Sequence, residues 1–224
     1  MAPEWFDIAV SSFPKLLYAT FVLTIPIALI SFFSSMVVGL LIALIRVFLK
    51  KKIVFILHIY VWIFRGTPLL ILLFMIFYGL ASIGIVFNAF SAVLIGMTLC
   101  FSAYISEIIR TSIISIPKGQ WEAAHTIGLT WIQTMRHVIL PQAFMRSIAP
   151  LSSEFISVFK STSLAASVTV PEVFQTGQRI ISITYQPFVI YLEICLIYLT
   201  LTSLCYVLQV RMEIFCTRYT NSQK

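Results

Sequence analysis

The sequence predicts an all-α integral membrane protein with five transmembrane helices, its N-terminus outside the cytoplasm and its C-terminus inside. Three observations carry that prediction. The 224 residues are 60% hydrophobic and only 10% charged, where a soluble domain holds about 25% charged residues; mean hydropathy is +1.01. The chain contains five largely apolar stretches, each near the ~20 residues a helix needs to cross a bilayer. Lys and Arg are shared unequally between the connections.

With five spans the connections alternate sides. One side holds Arg46, Lys50, Lys51, Lys52, Arg110, Lys118, Arg136, Arg211, Arg218 and Lys224, and the other holds Lys15 and Arg179. Membrane proteins keep basic residues on cytoplasmic loops, so ten against two gives the orientation. The net charge of +7 has the same origin. There is no soluble basic domain to carry nucleic-acid binding.

Residues 1–20 read as an N-terminal segment on the outer, periplasmic side, amphipathic or partly irregular, lying at the membrane surface. They carry Glu4 and Asp7 and lack the basic start and cleavage site of a signal peptide. The transmembrane domain covers 21–210. Its first span is placed at 21–45, with Pro26 in the opening turns, where a missing N–H costs least. The second is placed at 53–80. His58, Tyr60 and Trp62 open it and suit an interfacial belt. Arg65 lies deep in this run and is expected to face protein or a wet cavity. Gly66 and Pro68 loosen the helix around it.

Residues 79–88 read as a short external loop and 89–109 as the third span. Glu107 and Arg110 near its end are spaced to pair on one side of a helix. The fourth span, 140–160, is polar: Arg146, Pro150, Ser152, Ser153, Glu154, Ser157 and Lys160. Such a helix belongs against a cavity or a seam between subunits, not against lipid. Residues 161–186 form an outer connection, partly helical or re-entrant. The fifth span is 187–210, and 211–224 is a cytoplasmic tail.

The stretch 117–141, PKGQWEAAHTIGLTWIQTMRHVILP, lies between two spans on the cytoplasmic side. Pro117 ends any extension of the third helix. A short amphipathic helix follows from 118 to 127. Gly128 suits a left-handed C′ position, and Thr130 with Gln133 forms a capping box for a second short helix. Pro141 stands where the fourth span enters the membrane. Ala123 and Ala124 are small enough for close backbone approach, and Glu122 offers a charge to a basic or hydrogen-bonding partner. Trp121, Ile127 and Trp131 are apolar anchors of the kind that dominate docking surfaces.

Several chemistries have no support. Cys100, Cys195 and Cys205 sit in apolar runs and Cys216 in the tail, with no C-x-x-C pair, so they read as small buried residues. His58, His125 and His137 have no metal-ligand spacing. No G-x-x-x-x-G-K-[ST] sequence occurs, so ATP chemistry belongs to another chain. No nucleophile–base constellation is visible, and no catalytic residue or cofactor is assigned.

Glu122-Ala123-Ala124, Gly128, Val138 and Leu140-Pro141 at this spacing resemble the EAA loop of permease subunits in bacterial ABC importers. Val138 stands where that pattern has Ile. Arg65-Gly66-Thr67-Pro68 followed by FMIFYGL, the run AYISEIIR before the loop, and KSTSLAA at 160–166 resemble the polar amino-acid permeases of histidine, glutamine and cystine type. Ser161 replaces the family's Asp, which removes a partner for Lys160. SIPKGQWEAA, VPE at 170–172 and the 185–191 region are most similar to cystine permeases.

The resemblance covers nearly the whole chain and implies a type I ABC importer transmembrane domain in the bacterial cytoplasmic (inner) membrane. It implies import of polar amino acids such as L-cystine. Glu122, Ala123, Ala124, Gly128, Leu140 and Pro141 would couple to separate ABC ATPase subunits holding ATP and Mg. A second permease copy or paralogue and an extracytoplasmic substrate-binding protein are the other implied partners. Arg65, Thr67, Ser153, Glu154 and Ser157 are assigned to the substrate path. The family more often has a neutral residue at 154, so Glu154 is expected either to meet a substrate ammonium or to pair with Arg65 or Arg146. The competing reading is an ion- or proton-coupled secondary amino-acid carrier. Glu107, Glu154 and Glu193 favour it, and the single five-span unit without an inverted repeat opposes it.

Overall fold

Backbone polar groups in lipid must be satisfied within the segment, and helices do this alone. The computed structural model describes residues 4–49 and 51–221, whose regular structure is helical with no strand among them. Side chains are described over 5–49 and 52–214. Lys50 and Lys224, and the side chains of Lys51, Cys216 and Arg218, lie outside the described residues.

Helix α1 (Glu4–Ala19) passes through a π turn, Thr20–Thr24, into α2 (Ile25–Phe48). Together they make one helix of 44 residues, Trp5–Phe48. The expected surface segment and first span are therefore continuous. Pro26 explains the π turn: it has no N–H to give, and its ring crowds the carbonyl four residues back. Helix α1 is not left at the surface. Leu16 is buried with Val173, Ile190, Ile194 and Ile197 of later helices, and Ser12 Oγ donates to Glu193 Oε2 at 2.6 Å.

The second span is broken where one helix over 53–80 was expected. Helix α3 (Lys51–Gly66) and α4 (Leu69–Phe74) flank Thr67 and Pro68, and the chain bends by 104° there. A residue before proline is pushed out of the helical region. Pro68 itself is extended, at φ −58° and ψ 135°. Helix α4 continues through a π turn, Met75–Gly79, and a 3₁₀ turn, Ala81–Ile83, to the left-handed Gly84.

Helix α5 (Ala89–Ile114) is the centre of the bundle. It packs along α2, whose Ser31, Ser35, Gly39 and Ala43 recur every fourth residue and are all buried. Small residues at this spacing let membrane helices approach closely. A Cβ at Gly39 would lie 2.8 Å from Ile105 Cγ2 and 3.0 Å from Ser102 O. Ser34 Oγ and Thr98 Oγ1 share a 2.6 Å hydrogen bond across this seam.

Next come α6 (Lys118–Thr126), α7 (Trp131–Thr134), a π turn over Met135–Ile139, and α8 (Leu140–Ser161). A 3₁₀ segment, Thr162–Val168, and α9 (Val173–Thr184) complete the expected partly helical connection. Helix α10 runs from Pro187 to Asn221, past the expected end at 210. Ile27, Leu73, Met97, Val158 and Val168 share the main core, which joins α2, α4, α5, α8 and the 3₁₀ segment. Cys100 is buried and Cys205 half-buried, but Cys195 is exposed on α10, against the expectation that all were internal.

Among the described residues three helices are long and apolar enough to cross a membrane, or four if the bent pair is one span. Helix α8 has 22 residues, about 33 Å at the α-helical rise, so its polarity rather than its length sets it apart.

Candidate functional site

The loop after α5 is built by short-range rules. Pro117 starts α6 with extended backbone, and Gly128 ends it at φ +79°. Leu129 N donates to Ala124 O at 3.1 Å and Gly128 N to His125 O at 3.0 Å, the two bonds of a Schellman ending. Nothing lies within 4 Å of a Cβ placed on Gly128. The backbone angle, and not crowding, calls for glycine here. The expected capping box is present: Gln133 Oε1 accepts from Thr130 N at 2.8 Å, and Gln133 N donates to Thr130 Oγ1.

The structure divides the coupling residues. Glu122, Ala123, Gly128 and Pro141 are exposed; Leu140 is half-buried and Ala124 buried. Ala124 thus faces its own chain, where its small side chain lets α6 lie close. Ile127 is 75% exposed and Ile132, which sequence reasoning missed, is 70% exposed. Trp121 packs against Ile113, Ile116, Met135 and Ile139, leaving Trp131, edge-on to Phe48 at 4.8 Å, as the outer aromatic.

The second helix of the loop is not separate. From Trp131 the chain stays helical through the π turn to Ser161. Pro141 was expected where the fourth span enters the membrane; the π turn just before it absorbs its missing N–H, as at Pro26. Gln142 Nε2 donates to Gln120 Oε1 at 3.2 Å and ties α6 to the start of α8. Arg146 Nη1 donates to Ser115 O at 2.7 Å. That contact removes Arg146 as a partner for Glu154.

A second site forms where α3 breaks. Pro68 cannot donate to Phe64 O, and the bend takes the following N–H away from Arg65 O. Helix α5 supplies substitutes: Cys100 Sγ donates to Phe64 O at 3.7 Å and Tyr104 Oη to Arg65 O at 3.1 Å. The Arg65 guanidinium carbon lies 5.2 Å from the Tyr104 ring centroid, within cation–π range. Arg65 is exposed to a cavity of about 600 Å³ shared with Arg46, His58, Tyr104, Glu107 and Arg110.

Glu154 on α8 is half-buried and within electrostatic reach of Arg65 and Tyr104. No ion pair joins it to Arg65 among the described residues. Thr67 is half-buried in the break. Ser153 is drawn elsewhere, accepting from Gln209 Nε2 of α10 at 3.1 Å. Ser157 Oγ donates back to Ser153 O at 3.2 Å. Arg65 and Glu154 are therefore brought together, and Ser153 is turned toward α10.

Sequence reasoning paired Glu107 with Arg110 and missed Arg46. Arg46 Nη1 donates to Glu107 Oε2 at 2.9 Å, and Arg110 grips the same carboxylate through Nε and Nη2. The Arg46 side chain is 4% exposed. Glu172 was also missed as a site residue. It caps α9, accepting from Phe174 N at 2.9 Å and Gln175 N at 2.8 Å, and Tyr198 Oη donates to it at 3.2 Å. Burial outweighs these bonds and lifts its carboxyl to about 7.

The exposed, capped loop is joined to a polar helix inside an apolar bundle, and residues 35–213 match the family described as binding-protein-dependent transport system inner membrane component. The chain belongs to that family. Within it, the L-cystine transport system permease protein TcyB of Bacillus subtilis is 42% identical over 214 residues, covering 95% of this chain and 92% of that protein. The crystal structure of an amino acid ABC transporter with histidines matches with a TM-score of 0.88 and 30% identity, over 95% of this chain and 99% of the other. The inward-facing MetNI methionine ABC transporter shares the fold, with a TM-score of 0.68 and 23% identity over 96% and 99% of the two chains. As a member of this family, the chain has the all-helical fold of ABC-transporter permease domains.

Proposed function

We propose that this chain is the permease subunit of an ATP-driven importer of polar amino acids, L-cystine foremost, in a bacterial cytoplasmic membrane. The observation that carries the reading is the unbroken helix from Trp131 to Ser161. It joins the exposed loop to the helix bearing Glu154, so a push on the loop tilts the polar helix without an intervening hinge. Counting the bent α3–α4 pair and α8 gives five spans, N-terminus out and C-terminus in.

In this reading an ABC ATPase with ATP and Mg docks on Glu122, Ala123, Gly128 and Pro141, with Ile127, Trp131 and Ile132 as apolar anchors. Ala124 and Leu140 hold the loop from within. A second permease copy or paralogue completes the pathway, and an extracytoplasmic binding protein delivers substrate. Glu154 meets a substrate ammonium beside Arg65 and Thr67. The identity to TcyB supports cystine, whose two ammonium and two carboxylate groups suit paired acidic and basic side chains. The secondary-carrier reading has less support. Glu107 is held by two arginines, so that carboxylate is not free to relay protons with Glu154.

Uptake of labelled cystine into proteoliposomes tests this. It is expected to need the ATPase, the binding protein and ATP. Uptake driven by an ion gradient alone would reverse the assignment. Glu154→Gln is expected to lower uptake about tenfold or more, the loss of one charge-assisted contact, with assembly retained. Undiminished uptake would remove Glu154 from the path.

A further inference from the structure

The cavity beside α3 carries more positive charge than it balances. Arg46, Arg65 and Arg110 line it with Glu107 as its one lining acid, leaving two guanidinium charges in excess. Glu107 is already taken by Arg46 and Arg110. Arg65 rests on Tyr104 and has no carboxylate within ion-pair distance among the described residues. Arg46 is almost fully buried, yet its Nε has no hydrogen-bond partner. A guanidinium held out of water with an unused donor is costly unless something accepts from it. An anion with two oxygens fits the planar fork of arginine best.

We propose that this cavity is a second, carboxylate-binding station for the translocated amino acid, set beyond Glu154 toward Arg46 and Arg110. The inference rests on the amino-acid reading above. Arg65 is shared between the two stations, since it lies in electrostatic reach of Glu154 and lines the cavity with Arg46. An amino acid presents its ammonium to Glu154 and its carboxylate to Arg65. When the ammonium leaves Glu154, the carboxylate stays with Arg65, and a shift of the Arg46 side chain that opens its sealed Nε to the cavity supplies a second donor. An anionic lipid headgroup without an ammonium, such as that of phosphatidylglycerol, has the opposite fit, because Glu154 would repel it and no part of it would answer that carboxylate.

The test uses the full chain with its ATPase in nanodiscs of neutral phosphatidylcholine, with binding followed by saturation-transfer NMR. Dithiodipropionate has the frame of cystine with its carboxylates and no ammonium; cystamine has the ammonium groups and no carboxylate. Dithiodipropionate is expected to bind the native chain. Arg46→Lys and Arg65→Lys keep the charge but lose the planar fork. Each is expected to weaken dithiodipropionate about tenfold, the share of one charge-assisted hydrogen bond, at unchanged melting temperature. Glu154→Gln should weaken cystamine and leave dithiodipropionate unchanged.

No binding of dithiodipropionate to the native chain, or equal binding by both lysine variants, overturns the station. Displacement of dithiodipropionate by added phosphatidylglycerol, with no displacement by cystine, assigns the cavity to lipid and also overturns it. Failure of the cystine reading has a different signature: no cystine uptake, with arginine-dependent dithiodipropionate binding intact.

Discussion

In the loop over 117–141, the backbone groups freed by the turn find partners no more than five residues away: Gly128 N with His125 O, Leu129 N with Ala124 O, Thr130 N with Gln133. In the cavity the partners are distant. Phe64 O takes Cys100, 36 residues on; Arg65 O takes Tyr104, 39 on; Arg46 takes Glu107, 61 on. The turns of the loop are held by their own neighbours in sequence, as suits a docking surface. The cavity exists only while α2, α3 and α5 hold their present arrangement, so a tilt of one helix rebuilds it.

That contrast can be broken at either end. The largest effect is expected from Glu107→Gln, which strands the buried Arg46. A loss of about 3 kcal/mol is expected from unpairing a mostly buried charge, read as a lower melting temperature in detergent. ATPase copurification should persist, because the loop does not depend on this contact. A melt within error of the native chain would show that the cavity needs no distant pairing.

Glu172 gives a comparable effect with a pH signature. Its folded pKa is raised from 4.5 to about 7, so the folded chain binds the extra proton between those values. Stability is then full below pH 4.5 and falls as pH rises to 7, by about 3 kcal/mol. Glu172→Gln should flatten the melting-temperature profile across that window. An unaltered slope would assign the titration elsewhere.

On the loop side the effects should be smaller and local. Gly128→Leu forces a side chain into a left-handed backbone at a cost of about 1–2 kcal/mol. It should loosen ATPase copurification while the spans remain inserted. Gly119→Ala, with ordinary backbone and open space around it, is the neutral control. Copurification as firm for Gly128→Leu as for the control would sink the docking role. Thr130→Ala should cost about 1 kcal/mol, the value of an N-cap. Its expected signature is faster hydrogen exchange confined to the amides just after Thr130. Faster exchange in α3 or α5 would mean the loop is coupled to the cavity after all.

The same contrast governs what could be read in advance. The caps of the loop were legible because Gly128 and the Thr130–Gln133 spacing are local signals. Glu154 and Arg65 stood out because charge inside an apolar run demands a reason. Arg46 was legible only as a topology marker, since nothing local ties it to a carboxylate 61 residues away. Ala124 was assigned to docking because a triplet in sequence does not say which of two alanines faces inward. Ser153 was placed on the path from its polarity, and its contact with Gln209 of α10, 56 residues on, had no local signal. Residues 1–20 were read as a surface segment apart from the first span, because nothing local shows that the chain runs on through a π turn into α2.

The π turn between α7 and α8 has one further consequence. It winds one residue more into a turn than an α-helix does, and each residue turns a helix by about 100°. Deleting a single residue from Met135–Ile139 would return the segment to ordinary winding with the helices on either side still facing as they do. Rewinding those residues to an α-helix without a deletion would instead swing everything ahead of them by about 100° relative to α8. The direction in which the exposed loop presents itself is thus held by how Met135–Ile139 is wound.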